Sequence, residues 1–406
     1  MNKHTLAFWL GIATLFAPCS NAQLYIITTF AGGANPYFLA GTGDSGPATQ
    51  AGLATPSYDV AVDGTGNTYI VAGTLIRRVN TAGVISTVAG GGIAVGDLVA
   101  ATSAALAPTA IAVDSKGNLY IADNAFGTSR IRTIGTGGIM QTVAGGAQCC
   151  VLGDGGPANS AYIGIPWGIA VDQSGNLYIA QSDNSGDYRI RVVSGGAIAT
   201  IAGGGTNTGD GIPAISAALT RVTGIAVDST GSLFIAENGA NRVRKVSAGM
   251  ISTVATLDSP WHLTVDSADN LYVTQPNDAT VQAVSAGGLV TPIAGSGSHG
   301  YSGDGGLATN AALDRPYGIT LGSQGVLYVS DATSTEIPRV RLLTPTTVCD
   351  VNHYGMTTPA DVQTIINEAL GLDTAADDLN KDGVVNVVDI ELVVASALGY
   401  GCQATS

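Results

Sequence analysis

One phrase, restated six times between residues 56 and 331, decides what this chain can fold into. Its clearest copies read PWGIAVDQSGNLYIAQ (166–181), VTGIAVDSTGSLFIAE (222–237) and PTAIAVDSKGNLYIAD (108–123). Weaker copies are PSYDVAVDGTGNTYIVA (56–72), PWHLTVDSADNLYVTQ (260–275) and PYGITLGSQGVLYVSD (316–331). An aspartate recurs at Asp63, Asp114, Asp172, Asp228 and Asp266, and Gly322 takes its place in the last copy. Self-similarity of this kind marks an array whose units each bury a face against the next.

Each unit reads as four strands. Ile169-Ala170-Val171 and Leu177-Tyr178-Ile179 are short β-rich runs around an Asp-Gln-Ser-Gly-Asn turn. A third run alternates arginine with β-branched residues, as in Arg130-Ile131-Arg132, Arg189-Ile190-Arg191, Arg242-Val243-Arg244 and Arg339-Val340-Arg341. A fourth reads Ile85-Ser86-Thr87-Val88 or Ile251-Ser252-Thr253-Val254. Nothing in the repeats has helical period, so the expected class is mainly β: a six-bladed β-propeller over residues 23–345, where radial repetition leaves few exposed edges. Residues 24–31 match the fourth strand with no first three before them, and the sixth copy has its first three and stops near Leu343. The ring should therefore close with residues 24–31 as the outer strand of the last blade.

Composition agrees. There are 56 glycines and 15 prolines in 406 residues, only 11% of residues are charged, and 45% are hydrophobic. That suits a folded, turn-rich protein rather than a disordered one. The formal net charge of −14 argues against nucleic acid and against an anionic membrane surface.

The phrases I-x-T-V-A-G, G-D-G-G-P-A, P-x-G-I-A-V-D, G-N-L-Y-I-A-D and N-R-I-R resemble the NHL-repeat propellers over residues 24–343. The resemblance implies a six-bladed fold with a surface for protein, sugar or another polymer. A minority of such propellers are lyases with zinc or calcium in a central tunnel.

Three features invite a functional reading. The linkers carry Gly43-Asp44, Gly153-Asp154, Gly209-Asp210 and Gly303-Asp304, with a degenerate copy at Gly96-Asp97 and none in the fifth unit. Their chemistry is that of turns, though a ring of acidic loops capturing cations or a polyol is the competing reading. Asp123, Glu237 and Asp331 end the second strands beside the arginines, where ion pairs are expected in preference to catalysis. His262, His299 and His353 are scattered, so a histidine-rich metal cluster is not expected, and no Gly-x-Ser-x-Gly elbow or phosphate loop accompanies them. No catalytic residue is assigned.

The ends of the chain differ from the middle. Lys3, the apolar run from Thr5 to Ala17 and Ser20-Asn21-Ala22 read as a signal peptide over 1–22, cut between Ala22 and Gln23, which implies a secreted protein with no membrane span. Cys149, Cys150, Cys349 and Cys402 then remain, and Cys349 with Cys402 is expected to form a disulfide around the tail.

Residues 346–406 hold nine acidic groups and one lysine. Within them Asp378, Asn380, Asp382, Val384, Asn386 and Asp389 occupy positions 1, 3, 5, 7, 9 and 12 of a calcium loop, with Gly383 at 6. A degraded relative offers Asp350, Asn352, Met356 (through its carbonyl) and Asp361, with Tyr354 at position 5 and Thr358 at 9, so it should hold calcium more weakly. Helices are expected from about Pro359 to Leu370 and from about Val387 to Leu398. Two loops that each end in Asp and lead into a helix resemble a type I dockerin, over residues 348–402. The resemblance implies Ca²⁺ as cofactor, a cohesin-type partner, and recognition through Pro359, Ala360, Val387 and Val388. The leading expectation is a secreted binding protein or adaptor, with a protein or carbohydrate ligand for the propeller. The alternative is a propeller lyase or carbohydrate-active hydrolase carried by its dockerin.

Overall fold

The aspartate of each phrase sets the first hairpin. Asp172 Oδ1 accepts the backbone N–H groups of Ser174 at 2.9 Å and Asn176 at 2.8 Å, and its Oδ2 accepts Asn176 Nδ2 at 2.7 Å. The two backbone contacts recur at Asp63, Asp114, Asp228 and Asp266. An aspartate that ties down the amides two and four residues on fixes the turn, and with it the register of the strands. In the last copy a Cβ at Gly322 would stand 2.8 Å from the Tyr328 ring, so glycine there leaves room for the ring.

The computed structural model describes residues 23–33, 42–55, 58–147, 152–183, 186–331, 337–346 and 359–372, together with 377, 379, 384–386, 389–390 and 392–394. Its strands form six antiparallel sheets, one per repeat, numbered here as blades 1 to 6. Blade 3 is representative, with Ile165–Val171 innermost, then Leu177–Ser182, Tyr188–Ser194 and Ala197–Gly203. The inner strands of the other blades are Val60–Val62, Pro108–Val113, Val222–Val227, Leu263–Val265 and Pro316–Leu321. Each inner strand touches the inner strands of the blades on both sides, so the six make a closed ring. In blade 6 the outer strand is Leu24–Gly32, paired antiparallel with Arg339–Thr346 in the register Leu24↔Thr346 and Ile27↔Leu343. The first strand of the chain thus completes the last blade.

The core lies between blades rather than at the centre. Val71 and Ile76 of blade 1 pack on Ile111 and Ile121 of blade 2. The pattern repeats around the ring and ends with Val340 and Ala31 of blade 6 against Val60 and Ile70 of blade 1. Five of the linkers between blades run back along the outer edge of the blade they lead into. Ser45 N–H donates to Ile85 O, Gly155 N–H to Ile198 O, Gly211 N–H to Ile251 O and Gly305 N–H to Ile27 O. Ala48, Ala101, Ala158, Ala214 and Ala308 then turn inward, all buried, because only a small side chain fits between the blades. Blades 4 and 5 are joined by residues 257–262 alone, and among the described residues no segment covers the outer edge of blade 5.

The tail is helical. Helix α1 (Pro359–Ala369) and helical residues 389–390 and 392–394 enclose a small cluster in which Ile365 and Val393 are buried against Val362, Leu379 and Ile390. Among the described residues no helix is long and apolar enough to cross a membrane.

Candidate functional site

The arginines and acids singled out by the sequence form a structural network. Arg77, Arg132, Arg191, Arg244 and Arg341, the central arginines of the third strands, are fully buried or within 1% of it. Each reaches the aspartate of the linker that covers its own blade: Arg77 to Asp44 at 2.7 Å, Arg132 to Asp97 at 3.0 Å, Arg244 to Asp210 at 2.7 Å, Arg341 to Asp304 at 2.6 Å, and Arg191 to Asp154. On the other side stand the second-strand acids, Asp123 at 3.7 Å from Arg132, Glu237 at 4.0 Å from Arg244 and Asp331 at 3.8 Å from Arg341. Burial raises the Asp331 carboxyl to about 6 against the pull of Arg341, and it raises Asp123 in the same way. At Asp154, Asp210 and Asp304 burial also pulls upward, but hydrogen bonds from threonine and arginine outweigh it and hold the carboxyls below the ordinary range. The ion pairs expected from the strand acids are present, and the linker aspartates spend their oxygens on arginine and threonine.

Blade 5 lacks all three parts at once. It has no Gly-Asp linker segment, Gln282 stands where the other blades have the buried arginine, and Pro292 stands where they have the threonine.

The inner strands present a different constellation. Each inner strand begins at the same end of its blade as the second strand finishes, as Pro108↔Asp123 and Pro166↔Gln181 show. At that end the first inward position reads Asp59, Ala110, Gly168, Gly224, His262 and Gly318 around the ring. The strands approach so closely there that a Cβ at Gly168 would stand 3.1 Å from the Cα of Gly224, and one at Gly318 would stand 2.6 Å from the Cα of Asp59. The space left by the glycines is filled by Asp59 and His262, whose Oδ1 and Nε2 are 3.7 Å apart. Asp59 Oδ1 accepts the N–H of Val60 at 2.8 Å, and its Oδ2 accepts that of Ile111 in the next blade at 2.9 Å. Burial pushes the Asp59 carboxyl up against His262 and these amides. Both ring nitrogens of His262 are buried and have no hydrogen-bond partner among the described residues. This pair floors the channel.

Above the floor lies an aromatic mouth. The residue preceding each inward position is Tyr58, Thr109, Trp167, Thr223, Trp261 and Tyr317. Tyr58 and Tyr317 meet edge to face with ring centroids 5.8 Å apart, and Trp261 and Tyr317 at 5.2 Å. The Arg221 guanidinium lies over Trp261, 5.5 Å from its centroid. Trp167 is 37% exposed, and its indole N–H donates to Ser182 Oγ at 2.9 Å. The two threonines face away from the mouth: Thr109 donates to Pro166 O at 2.7 Å and Thr223 to Pro260 O at 3.2 Å.

Sequence reasoning passed over this constellation. Its signal was present, because aromatics hold one phrase position in four of the six copies and include every tryptophan after Trp9. His262 was dismissed as isolated, and its partner Asp59 lies too far away in sequence to be connected with it by spacing.

Of the tail residues, Asp361 and Asp389 are fully buried, while Pro359 and Ala360 are exposed. Asp389 accepts the N–H groups of Leu379 at 2.8 Å and Asn386 at 2.9 Å, and Asn386 Nδ2 donates to Val384 O at 3.0 Å. Asp350, Asn352, Met356, Asp378, Asn380, Asp382, Val387, Val388, Cys149, Cys150, Cys349, Cys402 and residues 1–22 lie outside the described residues. Among the described residues no three His, Cys, Asp or Glu side chains are gathered as metal ligands.

Comparison with known proteins agrees with this architecture. Residues 20–95 match the Teneurin NHL domain family. Teneurin-3 of Mus musculus is 32% identical over 243 residues, which is 52% of this chain and 9% of the teneurin. Teneurin-4 of Homo sapiens is 30% identical over 234 residues, 50% of this chain and 8% of that one. The chain therefore spans about a tenth of the length of the curated relatives it matches. Among solved structures, an auxiliary nutrient binding protein from Bacteroides ovatus superposes with a TM-score of 0.56 at 15% identity, over 80% of this chain and 78% of that one. At that identity the likeness shows the fold. The chain is a six-bladed β-propeller, similar over residues 20–95 to the Teneurin NHL domain.

Proposed function

We propose that this chain is an exported binding protein. Residues 1–22 direct it to the extracellular space, the propeller holds an extracellular protein or carbohydrate at its aromatic mouth, and the tail is a dockerin-like module giving calcium-dependent attachment to a cohesin-type partner. The observation that carries the binding reading is the arc of Tyr58, Trp167, Trp261 and Tyr317 at one repeat position, above a floor closed by Asp59 and His262. Ligand pockets combine aromatic walls with a few placed polar groups, and here both gather at one end of the ring. The Asp59–His262 pair is buried beneath the glycine backbone, with neither imidazole nitrogen open to a ligand, which favours binding over catalysis.

Support for the tail is local. Asp361 and Asp389 stand at position 12 of their loops and are buried at or near the start of helices that pack on each other, as calcium loops require. The donor chemistry fits calcium, because every proposed side-chain ligand is an oxygen. Asp378, Asn380, Asp382, the carbonyl of Val384, Asn386 and Asp389 would hold the ion, with Asp350, Asn352, Met356 and Asp361 as a weaker second set.

The test uses the whole chain from Gln23, immobilised and exposed to the host's secreted fraction in calcium or in chelator. A partner retained only in calcium and lost in Asp382→Ala is the expected result for the tail. A second partner or polymer lost in Trp167→Ala with Tyr317→Ala, and indifferent to chelator, is the expected result for the mouth. Retention that ignores both changes would overturn the reading.

A further inference from the structure

Two arginines, Arg221 and Arg315, stand at the same repeat position at this end of the ring. Both are exposed and, among the described residues, make no side-chain ion pair or hydrogen bond. Arg221, at the start of blade 4, is the one that lies over a tryptophan ring, that of Trp261. The four third-strand arginines that flank it on either side in sequence, Arg189, Arg191, Arg242 and Arg244, are all paired with acids. Arg221 is also held at φ +37, in the left-handed region that side chains avoid. Such strain gathers at binding sites. The strain is locked in place from behind: Thr220 N–H donates to Glu237 Oε1 at 2.9 Å, and Asn238 N–H donates to Arg221 O at 3.1 Å.

Around the ring Arg221 falls between Trp167 of blade 3 and Trp261 of blade 5, beside the short 257–262 linker. The Trp167 ring is exposed, and the hydrogen bond to Ser182 fixes it in place. An exposed aromatic face and a five-donor fork at the same end of the ring suit a ligand ring with an apolar face and a hydroxylated edge.

Resting on the binding reading above, we infer that the mouth takes a saccharide chain, one ring stacked on Trp167 and its hydroxyl or carboxylate oxygens held by Arg221. An ammonium ligand is disfavoured, since the charged group beside Trp261 is itself a cation, Arg221.

Trp167 and Trp261 are the only tryptophans after Trp9, so fluorescence excited selectively at tryptophan in the chain from Gln23 reports on these two rings. Titration with neutral cello-, xylo- and chito-oligosaccharides, and separately with oligogalacturonate, should give a saturable shift in at least one series. The two arms tell a hydroxyl-only ligand from a uronate. Trp167→Ala should weaken binding ten-fold or more, while Trp167→Phe should stay within a few-fold of wild type. Arg221→Gly should also weaken binding about ten-fold, yet keep or raise the melting temperature, because glycine accepts the left-handed backbone. That pairing separates a ligand contact from a structural role. Saccharide binding that survives both Trp167→Ala and Arg221→Gly overturns the inference. So does a shift with tetramethylammonium and with no sugar. If no sugar binds but a secreted protein is still lost in the Trp167→Ala and Tyr317→Ala variant, the mouth reading stands and the saccharide is wrong. If neither occurs, both fall.

Discussion

Arg341 shows at the scale of one residue why so acidic a chain keeps its few arginines inside. Desolvating a guanidinium costs several kcal/mol, which only close partners on both sides can offset. Asp304 and Asp331 supply them, one from the linker and one from the neighbouring strand. The cross-strand partner was legible, because Asp331 and Arg339 are opposed in the hairpin and Arg341 is two residues on. The linker partner was not, because Asp304 precedes Arg341 by 37 residues and meets it only once the linker has doubled back along the blade. Asp331 also carries a pH signature. Its folded pKa of about 6 lies above the ordinary value of 3.8, so the folded chain holds this proton more tightly than the unfolded chain. Its contribution is therefore fully present below the ordinary value and is lost as pH rises through 6. Asp331→Asn should remove that loss, and its stability relative to wild type should increase from pH 4 to pH 7 by up to about 3 kcal/mol. Urea unfolding at both pH values checks this, and a difference independent of pH would refute it.

At the scale of the element, the outer strand depends on the glycine that ends it. Gly203 sits at φ +83, and a Cβ there would stand 2.2 Å from Tyr188 O, so the strand can turn into its linker only without a side chain. Gly203→Ala should cost about 3 kcal/mol, as a drop in thermal midpoint with far-UV signal retained. Blade 4 has Thr256 in place of that glycine and continues directly into the short linker. The consequence falls on blade 5, whose outer strand Val290–Ala294 has no covering segment among the described residues and leaves Leu289 58% exposed. Pro292 sits on that open edge, where a missing N–H discourages strand addition. Pro292→Thr should restore a donor and favour self-association, visible as a rise in light scattering with concentration. Gln282, Pro292 and the missing linker were all readable in the sequence. That they are three absences of a single network became visible only when the other five blades showed Arg, Thr and Asp in contact.

The whole molecule is a ring without a central core, so its stability rests on closure. Ile27 lies on the closing strand, fully buried against Leu327, Val329 and Leu343 of the last blade. Ile27→Ala should cost about 3 kcal/mol by leaving a cavity in that blade. Removing residues 23–32 should do more, replacing one cooperative transition with several, since the blade 6 edge and the blade 1 contact would open together. Calorimetry of the two variants distinguishes these outcomes, and a single sharp transition in the truncated chain would show that closure is not what holds the ring.

By itself the sequence determined the number of blades, the four strands of each, the aspartate turns and the strand that closes the ring. These follow from local rules, turn chemistry and a two-residue strand period, repeated often enough to be unmistakable. Tertiary structure alone decided what the repeats do for one another. It turned the acidic linkers into edge covers pinned by buried arginines, and it brought Asp59 to His262. It also brought Tyr58, Tyr317 and Trp261 into contact at one end of the ring and laid Arg221 over Trp261. Ring closure places side by side residues from separate copies of the phrase, and no spacing along the chain encodes that proximity.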